Sequence, residues 1–103
     1  MAEGKVTVKE IFYYEDRTIK GGVSIYKIEN NDANLLFADF CIATFDDGTS
    51  EIVWGAGDTP QSALESASRE WDVVNMYEND EYLNPFEYVL RKVEEGKILL
   101  PKL

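Results

Sequence analysis

The chain contains no histidine and a single cysteine, Cys41, in 103 residues. The first absence removes the commonest general base at neutral pH and the commonest transition-metal ligand. The second excludes an internal disulfide and any multi-cysteine metal site. Bases are scarce through the middle as well: from Ile28 to Leu90, Arg69 is the only Lys or Arg. A surface that holds nucleic acid must neutralise phosphates and release counterions, so this stretch is not expected to bind DNA or RNA directly. No apolar run approaches the ~18 residues needed to cross a bilayer, and Met1 to Lys5 has neither the basic patch nor the apolar stretch of a secretion signal. The expectation is a soluble, cytoplasmic chain with no membrane contact.

What the chain has is acid and aromatic surface. Its 45% hydrophobic and 13% aromatic content suits one domain over residues 1–103, with a single core. Twenty acids against ten bases leave a net charge of −10. The acids fill the base-poor middle: Glu29, Asp32, Asp39, Asp46, Asp47, Glu51, Asp58 and Glu65, then Glu70, Asp72, Glu78, Asp80, Glu81 and Glu87. An acidic middle attracts basic protein surfaces.

Strands come first and helices last. Lys5 to Glu15 alternates, with Val6, Val8, Phe12 and Tyr14 on one face and Lys5, Thr7 and Lys9 on the other, until Ile11 and Tyr13 break the pattern. Asp16 to Gly22 reads as a turn. Gly22 to Glu29 reads as a second strand, with Ser24, Tyr26 and Ile28 opposite Val23, Ile25 and Lys27. After a turn at Glu29 to Asp32, Leu35 to Phe45 forms a third strand whose one charge is Asp39. A tight hairpin at Asp46-Asp47-Gly48-Thr49 leads to a fourth, Glu51 to Trp54. The expected fold is α+β: a four-stranded antiparallel sheet followed by two helices packed on one face.

The stretch "WGAGDTPQSALESASREW" joins the last strand to the first helix. Gly55 and Gly57 let the backbone turn sharply, Thr59 caps the helix and Pro60 takes its first position. Ala63, Leu64, Ala67, Trp71, Val74 and Tyr77 recur at helical spacing as the buried stripe. In the second helix Asn84 is the cap, Pro85 the first residue, and Glu87 completes a capping box; Phe86, Val89, Leu90 and Val93 face inward and Gly96 ends it. The apolar tail Ile98 to Pro101 either closes the core or pairs with a second copy in a homodimer.

No pattern of catalysis stands out, and the chain is expected not to be an enzyme. Gly55-x-Gly57 lacks the third Gly and the Lys of phosphate loops, Asp58 sets a negative charge beside it, and Pro60 removes a donor, so a helix cap is the simpler reading of the junction. The pairs Asp46 with Asp47 and Asp80 with Glu81 lack the spacing of a calcium loop, and no metal or other cofactor is expected. Cys41, with no histidine to activate it, reads as a small core residue. Asp39 either blunts an exposed sheet edge or makes a binding contact. Six tyrosines, at 13, 14, 26, 77, 82 and 88, exceed the needs of a small core, and tyrosine among acids suits an Arg-rich partner.

Gly57, Asp58, Thr59, Ala63, Leu64 and Ala67 resemble the core of HicB-type antitoxins, whose strand meander runs through a Gly-Asp-Thr junction into an Ala-rich helix. That resemblance implies an antitoxin or regulatory partner that neutralises a basic toxin. The layout is also similar to double-stranded RNA-binding domains, but Thr59, Pro60 and Gln61 stand where those domains carry phosphate-holding bases, so RNA binding is not implied. In size and composition the chain resembles small phage anti-defence proteins, including anti-CRISPR and anti-restriction inhibitors that mimic DNA. The leading expectation is therefore a non-enzymatic inhibitor or decoy of a basic nucleic-acid-binding protein. Its carboxylates would be Asp46, Asp47, Glu51, Asp58, Glu78, Asp80 and Glu81, with Tyr77 and Tyr82 as aromatic anchors. The alternatives are the HicB-like partner and a small-ligand binder using Gly55 to Thr59.

Overall fold

The computed structural model describes residues 6–31, 37–48, 52–75 and 83–102. They form β1 (Val6–Asp16), β2 (Gly21–Asn30), β3 (Phe40–Asp46), β4 (Val53–Gly57), α1 (Pro60–Val74) and α2 (Pro85–Glu94). The strands make one antiparallel meander in the order β1-β2-β3-β4, and both helices pack on one of its faces, the α+β arrangement expected.

Register sorts the side chains. Val23 stands opposite Phe45, Ile25 opposite Ala43, and Ala43 opposite Gly55. These rows face the helices and, with Cys41, Ala63, Leu64, Ala67, Phe86 and Val89, make the core. Phe45, Trp71 and Phe86 meet edge-on, at ring separations of 5.3 to 6.3 Å.

β1 carries a bulge that corrects the expected facing. Its pairing passes from Glu10 opposite Tyr26 to Phe12 opposite Ile25, leaving Ile11 as the extra residue. Because side chains alternate with period two, one inserted residue exchanges the faces. Val6 and Val8 therefore lie on the open side, while Phe12 and Tyr14 join the core side. The break in alternation at Ile11 is this bulge.

Other boundaries move too. β3 begins at Phe40, and exposed Asp39 precedes it, accepting a hydrogen bond from the Asn30 backbone N–H at 2.9 Å. β3 lies between β2 and β4, so Asp39 guards no sheet edge. β4 starts at Val53 and runs on through both glycines. Neither Gly55 nor Gly57 has a positive φ, so they make no sharp turn. They are needed because α1 lies directly against β4: a Cβ on Gly55 would overlap the backbone of Ser66 and Ala67, and one on Gly57 would overlap Ser62 and Ala63.

The helix ends follow local chemistry. Thr59 caps α1 in a reciprocal box with Ser62: Thr59 Oγ1 accepts from the Ser62 N–H at 3.0 Å, and the Thr59 N–H donates to Ser62 Oγ at 2.9 Å. On α2, Asn84 is the cap, but Glu87 does not close a box; it turns forward to Arg91 at 2.8 Å. Gly96 follows α2 at φ 78°. The α1 stripe ends at Trp71, since Val73 and Val74 are exposed, and Tyr77 lies outside the described residues. In the tail, Ile98 and Leu100 pack against the core while Leu99 points to solvent.

Asp16 ties the β1–β2 turn to α2. Its Oδ2 accepts from the hydroxyls of Tyr14 at 2.6 Å and Tyr88 at 3.0 Å, and its Oδ1 accepts from the backbone N–H groups of Thr18 and Ile19. The Tyr14 bond, outweighing desolvation, leads the causes that hold the Asp16 carboxyl below its ordinary 3.8. The same bond, then desolvation, pushes Tyr14 up to about 12. Asp16 therefore adds stability that is present above pH 3.8 and is lost as pH falls through its lower folded value. Tyr14 adds stability present below pH 10 and lost as pH rises towards about 12. Urea midpoints measured across pH should show both losses. Tyr14→Phe should remove its contribution to the alkaline loss, and Asp16→Asn its contribution to the acid one.

Candidate functional site: the open face of the sheet

The face of the sheet turned away from the helices is built by the residues that alternate with the core. One cross-strand row runs Tyr13, Ser24, Thr44, Trp54. On one side of it lies the row Glu10, Tyr26, Ile42, Ala56, and on the other Glu15, Gly22, Asp46. Two aromatic rings thus stand at the ends of a floor of small hydroxyl residues. Tyr13 and Trp54 are more than half exposed, at 54% and 55%.

Gly22 sets the position of Tyr13. A Cβ there would come within 2.6 Å of the Tyr13 hydroxyl, so the phenol lies across the glycine's bare backbone. Glu10, Tyr13, Ser24, Tyr26, Thr44 and Asp46 line a shallow bowl of about 470 Å³. Partial desolvation first, then the Glu15 carboxylate, with Glu10 and Asp46 adding to it, hold the Tyr13 hydroxyl above its ordinary 10.0.

Cations are kept off this face by the same alternation. Lys9 and Lys27 stand on the helix side, where both reach Glu29, at 3.6 and 3.3 Å. Among the described strand residues no Lys or Arg lies on the open side. The bowl is therefore a negatively charged, aromatic-walled surface without an internal counter-ion among these strands. It combines carboxylates and phenol rings with the hydroxyls of Ser24 and Thr44. Cys41 is fully buried on the opposite face, and its thiol is pushed up by burial.

The residues expected from the sequence divide. Asp46 belongs to the open face and Asp47 follows it, exposed, at the end of β3; the Asp46 carboxylate accepts from the Gly48 N–H at 2.8 Å, and Gly48 takes a positive φ in a connection that, with Phe45 paired to Val53, is longer than the tight hairpin expected. Asp58 is exposed at the other end of β4, on the order of 20 Å from Asp46 at ~3.3 Å per strand residue, so the two do not form one site. Glu51, Tyr77, Glu78, Asp80, Glu81 and Tyr82 lie outside the described residues. The residues missed are Glu10, Glu15 and Trp54, while Tyr13 and Tyr26 stand among the six tyrosines noted but not among the anchors chosen. Tyr26 was visible in the alternation of β2. Glu10, Tyr13 and Glu15 were hidden by the bulge, and Trp54 by reading the strand as ending there.

The junction from Gly55 to Thr59 offers no built phosphate cradle. Both glycines face α1, and the Thr59–Ser62 box already occupies the Ser62 N–H. Among the described residues no group of three His, Cys, Asp or Glu side chains is placed to hold a metal ion, and no helix is long and apolar enough to cross a membrane.

Fold and face together define an α+β domain with one sheet surface covered by helices and the other left acidic and aromatic. No protein-family model, curated protein or solved structure matches the chain.

Proposed function

We propose that the protein is a non-enzymatic binding module whose open sheet face takes a basic, arginine-bearing surface of another protein. It would act as a decoy, presenting carboxylates where that partner holds nucleic-acid phosphates. The supporting observation is the register, which gathers Glu10, Glu15 and Asp46 around Tyr13, Tyr26 and Trp54 and sends Lys9 and Lys27 to the other side. A guanidinium suits this arrangement. It forms charge-assisted hydrogen bonds with carboxylates and stacks on aromatic faces, whereas an ammonium gains less from the rings. A nucleic-acid-binding protein and a basic toxin present the same chemistry, so the inhibitor and antitoxin readings share one site. Such a decoy belongs in the cytoplasm, where nucleic-acid-binding partners work.

The test uses defined probes. An arginine-rich polypeptide and polylysine of equal charge are titrated into the protein, and then into the triple reversal Glu10→Lys, Glu15→Lys, Asp46→Lys. Single surface pairs contribute under about 1 kcal/mol each, so three reversals acting together should weaken the arginine polymer by about a hundredfold. Binding should weaken from about 50 to about 300 mM salt, as exposed charges are screened. The protein should also release duplex DNA from a basic DNA-binding protein. Unchanged affinity in the triple variant, or equal affinity for the lysine and arginine polymers, defeats the reading.

A further inference from the structure

The two edges of the sheet are not alike. β1 is charged and bulged, two devices that discourage pairing with another strand. β4, the other edge, reads Val53-Trp54-Gly55-Ala56-Gly57: it has no charge, no proline and no bulge. A groove of about 670 Å³ runs along it between the strand and α1, walled by Ile52 and Trp54 on one side and by Ser66, Arg69, Glu70 and Val74 on the other. Exposed apolar side chains gather here, with Ile52, Trp54 and Val74 all more than half exposed.

We propose that β4 is the seam of a homodimer, in which the β4 strands of two copies pair antiparallel about a two-fold axis. The two sheets then join into one of eight strands, and α1 of each copy lies beside α1 of the other. The pair Arg69 and Glu70, complementary to itself across a two-fold axis, points to a second copy as the occupant. Molecules this acidic repel one another, and they can approach closely only where acid is sparse and a base is at hand. The groove supplies both, since it holds Arg69, the only base between Ile28 and Leu90, beside Glu70. In an isologous interface each patch meets itself, so Arg69 of each copy comes within reach of Glu70 of the other. Backbone hydrogen bonds along β4 and burial of Ile52, Trp54 and Val74 supply the rest. The inference shares Trp54 with the open-face reading, whose carboxylates Glu10, Glu15 and Asp46 lie outside the groove. If both hold, the dimer sets two acidic bowls on one continuous surface, which would favour a partner with repeated basic patches.

Sedimentation equilibrium of the whole chain from micromolar to about millimolar concentration tests this, together with hydrogen exchange at residues 53–57. A monomer–dimer equilibrium is expected, with the β4 amides gaining protection as the dimer forms. Arg69→Glu should weaken it by about tenfold or more, because two like charges then face each other, and the swap Arg69→Glu with Glu70→Arg should return it to within about threefold of the original. Circular dichroism confirms that each variant folds. A chain that stays monomeric throughout overturns the proposal, as does a dimer indifferent to Arg69→Glu. Protection of the 53–57 amides that appears only when another protein is added also overturns it and assigns the edge to that protein.

Discussion

Gly55→Ala should destabilise the protein by about 3 kcal/mol or more, although it adds one methyl group. Overpacking a core commonly costs about 1 to 3 kcal/mol because neighbouring side chains give way. Here the neighbours cannot rotate. The added carbon would lie 2.6 Å from the Cα of Ala67 and 2.6 Å from the carbonyl carbon of Ser66, and would also overlap the Ala67 backbone nitrogen. Only a shift of α1 away from β4 relieves this, and that shift opens the contacts of Ala63 and Leu64 with the sheet. Urea denaturation checks the size of the effect, with Ala56→Ser on the exposed face as a near-neutral control. The outcome also decides what the Gly-x-Gly is for. If it were a ligand loop, Gly55→Ala would fold like the parent and lose only binding.

Which parts of this were legible in the sequence follows from which signals are local. The helix caps were, because Thr59-Pro60 and Asn84-Pro85 carry their chemistry in adjacent residues. The alternation of β2 and the left-handed backbone at Gly48 were legible for the same reason, whereas the length of the β3–β4 connection was not. The open face was not, since membership in it depends on parity, and the bulge at Ile11 reverses the parity of half of β1. Tyr13 looked like a fault in a strand and is instead the centre of the bowl. Gly55 and Gly57 were recognised as special, but for a turn, when the cause is a helix lying across them. That cause is a contact between segments, and no local rule encodes it. Asp16 was read as a turn residue, and its bond from Tyr88 spans most of the chain.

Asn84 is where two roles meet in one side chain, and its variants should separate them. Its Oδ1 accepts from the N–H groups of Phe86 and Glu87, capping α2, while its Nδ2 donates to the backbone and hydroxyl oxygens of Ser68 and to Asp72 Oδ1 at 3.0 to 3.1 Å, fastening α1 to α2. The residue is buried, so water does not readily replace what is lost. Asn84→Ala should cost about 2 to 3 kcal/mol, of which the cap accounts for about 1 and the broken link between helices for the remainder. Asn84→Ser keeps a capping oxygen and should recover only the first part. Asn84→Asp keeps the cap as well, but it replaces the donor with a carboxylate against Asp72. At neutral pH it should be no more stable than the alanine variant. The sign of its pH dependence follows from the pairing of like charges. Two carboxylates in contact favour the protonated form in the folded state, so the Asn84→Asp protein gains stability as pH falls, where a shared proton restores a donor between them, and loses it as pH rises. Urea midpoints for the four proteins between pH 4 and 8 measure this. If Asn84→Asp matches the parent at neutral pH, the Nδ2 bonds to α1 contribute nothing, and α2 is held by other contacts, its apolar stripe and the Tyr88–Asp16 bond among them.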